Sequence, residues 1–244
     1  MKSYLHAFAM CQSMFCAIPI PWNIWDEEAR DKMLLFLPIV GLEIGAIWAC
    51  CGWLCTALGL SGMVTGVILC ACPFLLTGCI HLDGFMDVTD AVKSCRGPER
   101  RREILKDPHV GSFAVIGVVL LILAQFALFA GSTGGYRVLI FLPMVSRCCS
   151  ALAIGLLKPM STSQYAARKA GKGYTAALAV ILAAAIAAGF LLCGRYGLAL
   201  IGCLAGYALA LRRGYNSLGG MNGDISGYAL TVGELCAVAV WASL

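Results

Sequence analysis

About seven times along this chain, a stretch of some twenty residues passes with almost no charge: residues 33–59, 62–80, 110–130, 138–157, 174–193, 197–211 and 225–244. A helix needs about 20 mostly apolar residues to cross a bilayer, so this recurrence leaves few options. Of the 244 residues, 60% are hydrophobic and 13% charged, against roughly 25% charged in a soluble domain. Mean hydropathy is +0.84. The chain is too evenly apolar to divide into a soluble domain and an anchor. It reads as all-α, one polytopic membrane bundle over residues 1–244, with about seven transmembrane helices and residues 1–20 as a further interfacial or partly inserted helix. No cleavable signal pattern follows the first apolar residues. The 28 glycines suit close helix packing in a membrane and leave self-association open. The 14 cysteines are scattered without zinc spacing, as soft packing residues would be.

Positive charge orients the bundle. Lys93, Arg96, Arg100, Arg101, Arg102 and Lys106 lie in one loop, Lys158, Arg168, Lys169 and Lys172 in another, and Arg212 and Arg213 in a third. If the first two spans form a hairpin, all three loops reach one side, together with Lys2, Arg30 and Lys32; Arg137 and Arg195 fall on the other. The positive-inside rule makes the richer side cytoplasmic. The basic residues sit beside spans, so the expected partners are lipid and phosphorylated small molecules, not nucleic acid.

Directly after the second run comes His81-Leu-Asp-Gly-Phe-Met-Asp-Val-Thr-Asp90. Asp83, Asp87 and Asp90 recur at i, i+4 and i+7, one face of a helix. Three converging acids at a membrane boundary are costly without a cation, an ion path or a proton relay. Hard carboxylate oxygens without paired Cys or His suit Mg²⁺ or Mn²⁺. His81 fits a hydrogen-bonding role beside such a site better than direct ligation, and Gly84 permits close approach. Pairing of one or two acids with the following arginines is the competing structural reading.

Other pieces reach the same side. Glu99-Arg-Arg-Arg-Glu-Ile-Leu-Lys-Asp107 supplies Arg100, Arg101, Glu103, Lys106 and Asp107; beside a membrane such a run commonly meets solvent or lipid headgroups, and beside a divalent-metal site it suits phosphate. Gly219-Gly-Met-Asn-Gly-Asp224 opens the last apolar run. Gly223 and its neighbours offer backbone N–H groups to an anion, and Asp224 serves as helix cap or metal ligand. Glu43, Arg147 and Glu234 lie within spans, so Arg147 needs an anionic partner.

These segments resemble the cobalamin synthase family, the adenosylcobinamide-GDP ribazoletransferases, over nearly the whole chain. Ile18-Pro-Ile-Pro21 and Leu37-Pro-Ile-Val-Gly41 are similar to its first elements. Thr77-Gly-Cys-Ile-His-Leu-Asp-Gly84 with Asp87 and Asp90 resembles its TGGxHLDGxADTxDG signature, and Glu103-Ile-Leu-Lys-Asp107 with Val110-Gly111 resembles LEIMKDSRxG. Ser146-Arg147 and Gly219 to Asp224 follow in family order. Met86, Val88, Pro108-His109 and Thr231 depart from the pattern, Thr231 standing where many members carry glutamate.

The resemblance implies a Mg²⁺-dependent transfer at the cytoplasmic membrane in cobalamin biosynthesis, joining adenosylcobinamide-GDP to α-ribazole or its 5′-phosphate and releasing GMP. This step completes the nucleotide loop, and other corrinoid-pathway enzymes are the expected protein partners. Carried over by residue, Asp83, Asp87 and Asp224 are the metal ligands. Asp90, Lys106, Asp107 and Arg147 are catalytic, with Asp90 as general base or further ligand. His81, Gly84, Arg100, Arg101, Glu103 and Gly223 bind substrate or its phosphates. Two rivals stand beside it. CDP-alcohol phosphotransferases need an acid three residues before Asp83 and an Ala-Arg after Gly84, both missing here. An ion-coupled transporter predicts inverted repeats with matching broken helices, which the sequence does not display.

Overall fold

The computed structural model describes residues 2–22, 24–132, 134–160 and 172–244. Arg168 and Lys169 lie outside them. In a bilayer every backbone polar group must be satisfied within the protein, which favours helices. Among the described residues the regular structure is helix, joined by one isolated parallel bridge, Pro159 to Met221.

The long helices follow the apolar runs. A short amphipathic helix, α1 (Lys2–Phe15), and a single turn, α2 (Glu27–Arg30), precede α3 (Leu37–Ala57) and α4 (Gly62–Leu76). Next come α5 (Ile80–Lys93), α6 (Pro98–Ile104), α7 (Ser112–Ala130) and α8 (Val138–Leu156). The chain continues through α9 (Lys172–Cys193), α10 (Leu198–Leu218) and α11 (Gly223–Ala242). By length and composition, five stretches can cross a membrane, six if the bent pair α4 and α5 counts as one. One of the five, Gly173–Leu218, is 46 residues long and doubles back at Gly194–Gly197. A Cβ on Gly189 would strike Leu200, and one on Gly197 would stand 2.9 Å from the Phe190 Cα. A continuous helix would hold residues 189 and 200 about 16 Å apart. Its two arms are the expected fifth and sixth spans.

The straight span expected at 62–80 is corrected. Helix α4 stops at Leu76, and its 15 residues cover only about 22 Å of a core about 30 Å thick. Helix α5 then leaves at 91°. Pro73 lies inside α4, and the Thr77 hydroxyl donates to the Pro73 carbonyl at 2.9 Å. Gly78 and Cys79 both take left-handed backbone, with φ of 57° and 63°. Cys79 occupies the second glycine of the TGG signature. A Cβ in that conformation costs roughly 1–2 kcal/mol. By length and composition the pair amounts to a span only when its two pieces are taken together. Gly62 and Gly66 on α4 meet Ala130 at the end of α7, whereas Thr89 and Asp90 on α5 meet Gly117 and Gly111 near its start.

Helices α3 and α8 approach closely. Gly41 and Gly45 face the Pro143 and Ile140 carbonyls, and a Cβ on Gly41 would stand 2.5 Å from the Pro143 oxygen. Small residues let membrane helices pack backbone to backbone in this way. Two apolar cores result. One gathers Leu34, Leu37, Ile44, Val88, Ala151 and Ile225 around the end carrying α1. The other gathers Trp48, Phe129, Leu139, Leu142, Leu200 and Trp241 at the far end.

Helix α1 does not cross. Its 14 residues reach about 21 Å, and it is tied to the end of the bundle by side chains. Gln12 donates to Glu43 at 2.7 Å, Lys32 to Ser3 at 2.9 Å, and His6 meets Asp26 at 2.7 Å. The His6 hydrogen bond holds the Asp26 carboxyl below its usual range, and Asp26 in turn caps α2 through the backbone N–H groups of Glu28 and Ala29.

Candidate active site

Three helix ends build the site. Along α5, Asp83, Asp87 and Asp90 share the face that the spacing predicts, and Asp83 is exposed. The start of α11 brings Asp224 beside them through Gly84, where a Cβ would stand 2.9 Å from the Asp224 carbonyl oxygen and 3.0 Å from its Cα. On the other flank, the Asp90 carboxylate lies against Gly111, the residue that caps α7. Asp83, Asp90 and Asp224 all lie within electrostatic reach of Asp87. None of the four forms a salt bridge among the described residues. The competing idea, that these acids merely pair with the following arginines, therefore has no support in the geometry.

Asp224 is also released from capping. Asn222 performs that task, accepting from the Ile225 N–H at 3.0 Å, while its amide donates to Asp224 Oδ2 at 2.7 Å. The turn before α11 is fastened by the short bridge, with Met160 N–H donating to the Met221 carbonyl and Met221 N–H to that of Lys158, both at 2.9 Å. The positive ends of α7 and α11 thus flank four acids, an arrangement that accepts phosphate oxygens once a cation balances the carboxylates.

A cavity of about 140 Å³ opens beside the acids, lined by Phe15, Ile80, His81, Asp83, Ser150 and Asp224 among others. The His81 ring stacks on Phe15 with centroids 6.0 Å apart, and its Nε2 is buried without a partner. The buried Ser150 hydroxyl lies beside the buried Tyr207 hydroxyl. Thr231 donates to the His81 carbonyl at 3.2 Å, so this position supports the start of α5. The sequence reading missed Phe15, Ser150 and Ser226 on this wall. Phe15 lies on a helix that showed no chemistry, and lone serines in apolar runs carry no spacing signal.

The remaining candidates stand apart from the acid face. Arg147 is 1% exposed and donates to Glu234 at 2.7 Å, with Ser146 donating to the same oxygen at 2.7 Å. Glu234 is thus the anionic partner that Arg147 needs. Arg147 remains within electrostatic reach of His81. Arg100 pairs with Glu103 on the exposed surface of α6. Arg102 donates to the Leu218 carbonyl at 2.9 Å, where a cation complements the end of α10. Lys106 is exposed. Asp107 receives the His109 backbone N–H at 3.0 Å and the His109 ring at 2.7 Å, and these bonds hold its carboxyl below the usual range. Arg101 points into a separate recess with Arg212 and Arg213.

Among the described residues no three His, Cys, Asp or Glu side chains form a ready-made metal cage. The donor set still fits a hard divalent ion: four carboxylates with no cationic partner, at hydrogen-bonded and closely packed helix ends.

Comparison with known proteins places the chain in a family. A family model described as Cobalamin-5-phosphate synthase matches residues 7–242. A Clostridium perfringens protein named adenosylcobinamide-GDP ribazoletransferase is 35% identical, covering 98% of each chain. Proteins of the same name from Geotalea daltonii and Lachnoclostridium phytofermentans are 33% and 31% identical, covering 95% and 96% of this chain. No solved structure matches. With family model and relatives alike extending over nearly its whole length, the chain belongs to the cobalamin-5-phosphate synthase family.

Proposed function

We propose that this protein transfers adenosylcobinamide phosphate from adenosylcobinamide-GDP to α-ribazole or its 5′-phosphate, releasing GMP, at a site facing the cytoplasm. The observation that carries the reading is the set of four unpaired carboxylates, Asp83, Asp87, Asp90 and Asp224, flanked by two helix starts at a cavity mouth. Family membership supports the same reaction class.

Asp83, Asp87 and Asp224 would hold Mg²⁺. When bound, the ion supplies positive charge to the phosphate oxygens of the donor. The protein's own groups do the rest. The N–H groups at the starts of α7 and α11 orient non-bridging oxygens. A ribose hydroxyl of the acceptor attacks the phosphorus attached to cobinamide, the bond to the GMP oxygen breaks, and Asp90 takes the hydroxyl proton. Asp90 suits that role by its place on the α7 flank, one turn from Asp87. Lys106, exposed and without a salt bridge among the described residues, would meet the leaving GMP.

The break at Thr77–Cys79 is a feature carriers share. A carrier would repeat it in a second, inverted half, and the described residues contain one such bent pair. The reaction is tested with purified protein, adenosylcobinamide-GDP, α-ribazole and Mg²⁺. GMP should appear and should vanish with EDTA. Corrinoid movement across vesicles without GMP release would overturn the transferase reading in favour of a carrier.

A further inference from the structure

Arg101, Arg212 and Arg213 converge on a recess of about 580 Å³ between the end of α5, helix α6 and the end of α10. Asn216, Ser217, Cys95, Val92 and Leu209 complete its wall. None of the three guanidinium groups forms a salt bridge among the described residues. The Arg101 Nε is buried there with no hydrogen-bond partner. A donor in that state calls for an acceptor, and the guanidinium fork suits phosphate oxygens.

The recess is separate from the acid face. Val92 follows Asp83 by nine residues, which at about 100° per residue places it on the opposite side of α5. It shares no lining residue with the cavity beside Asp83 and Asp224. Leu209, 70% exposed on a long apolar helix, adds an apolar wall one turn before Arg212 and Arg213. Cations above an exposed apolar helix face match a ligand with a phosphate head and acyl tails.

We propose that this recess binds the headgroup of an anionic phospholipid. Arg101, Arg212 and Arg213 hold its phosphate, Asn216 and Ser217 meet its ester or alcohol oxygens, and the chains run down α10 past Leu209. The site fastens α6 to α10 and so fixes the connection between the acid-bearing helix and α7. It stands independently of the transferase reading.

Native mass spectrometry of the full chain, released from nanodiscs of equal phosphatidylcholine and phosphatidylglycerol, tests it. The protein should retain one phosphatidylglycerol in preference to phosphatidylcholine. Arg212→Gln/Arg213→Gln, at exposed positions outside the acid face, should weaken retention about thirtyfold, from roughly fivefold per basic residue near an anionic surface. The matching double lysine variant, which keeps the charge, should retain most of it. Equal retention of both lipids, or unchanged retention in the glutamine variant, overturns the proposal. Displacement of phosphatidylglycerol by millimolar inorganic phosphate or GMP also overturns it and assigns the recess to a soluble phosphate.

Discussion

Two charged regions lie within this bundle, and they are built on opposite principles. Deep between α8 and α11, Arg147, Ser146 and Glu234 close on one another, with the two ionic side chains 1% and 10% exposed. Around the start of α11, Asp83, Asp90 and Asp224 lie within electrostatic reach of Asp87, and none of the four has a salt-bridge partner among the described residues. The first group balances its own charge, with only the Arg147 Nε left buried and unpartnered in it, and holds two helices together. The second is stable only because it lies at a mouth, where water or a bound cation relieves the repulsion. A closed pair signals architecture and an open like-charged cluster signals a ligand.

The largest effect expected from breaking this contrast is on activity. Asp83→Asn should reduce GMP formation at least a hundredfold, the scale of losing one charge contact in a transition state, with no loss of thermal stability, because one repulsive charge is removed. Full activity in this variant, measured by GMP release at saturating Mg²⁺, would remove Asp83 from the metal site.

Glu234→Gln should act in the reverse sense. It leaves Arg147 buried without its counter-charge, at about 3–5 kcal/mol, which denaturant unfolding in micelles would report. The double variant Arg147→Met/Glu234→Leu should recover most of that stability. If it also recovers GMP release, Arg147 is architectural; if activity stays lost while the fold returns, its reach toward His81 serves catalysis.

Smaller again is Cys79→Gly. Removing the Cβ from left-handed backbone at the entry to α5 should stabilise the protein by about 1 kcal/mol, seen as a raised unfolding temperature. An unchanged or lowered value would show that the Cys79 side chain contributes more than its backbone strain costs.

The smallest effect belongs to the half-buried His6–Asp26 pair, a control for both regions. Its carboxyl is held below the usual range in the folded protein. Its contribution is therefore complete at neutral pH and fades as pH falls through the depressed value. Asp26→Asn should flatten that part of the stability–pH curve.

These contrasts were unevenly legible in the sequence. The acid face was, because three aspartates at helical spacing need no tertiary information. The spans were, because apolar length answers to bilayer thickness, although 62–80 concealed a break that only the left-handed Gly78 and Cys79 disclose. The need of Arg147 for an anion could be read, whereas the choice of Glu234, 87 residues away, depends on which helices adjoin. The arginine run could not be divided by eye. Arg100 pairs locally, Arg101 enters the basic recess and Arg102 caps α10. Neighbouring residues on a helix point about 100° apart, so a run of one type is several assignments.

The broken crossing also bears on how the protein is made. Helix α4 is too short to hold a transmembrane position alone, and α5 carries three acids that a bilayer resists. Their supports come later in the chain: α7 takes both pieces, and α11 meets α5 through Gly84 and Gly227. Helix α11 is synthesised after every other part of the site. A nascent chain that has emerged only through α10 holds three of the four acids and lacks the helix that seats them. The candidate site is thus a late product of membrane insertion, complete only once α11 docks on α5.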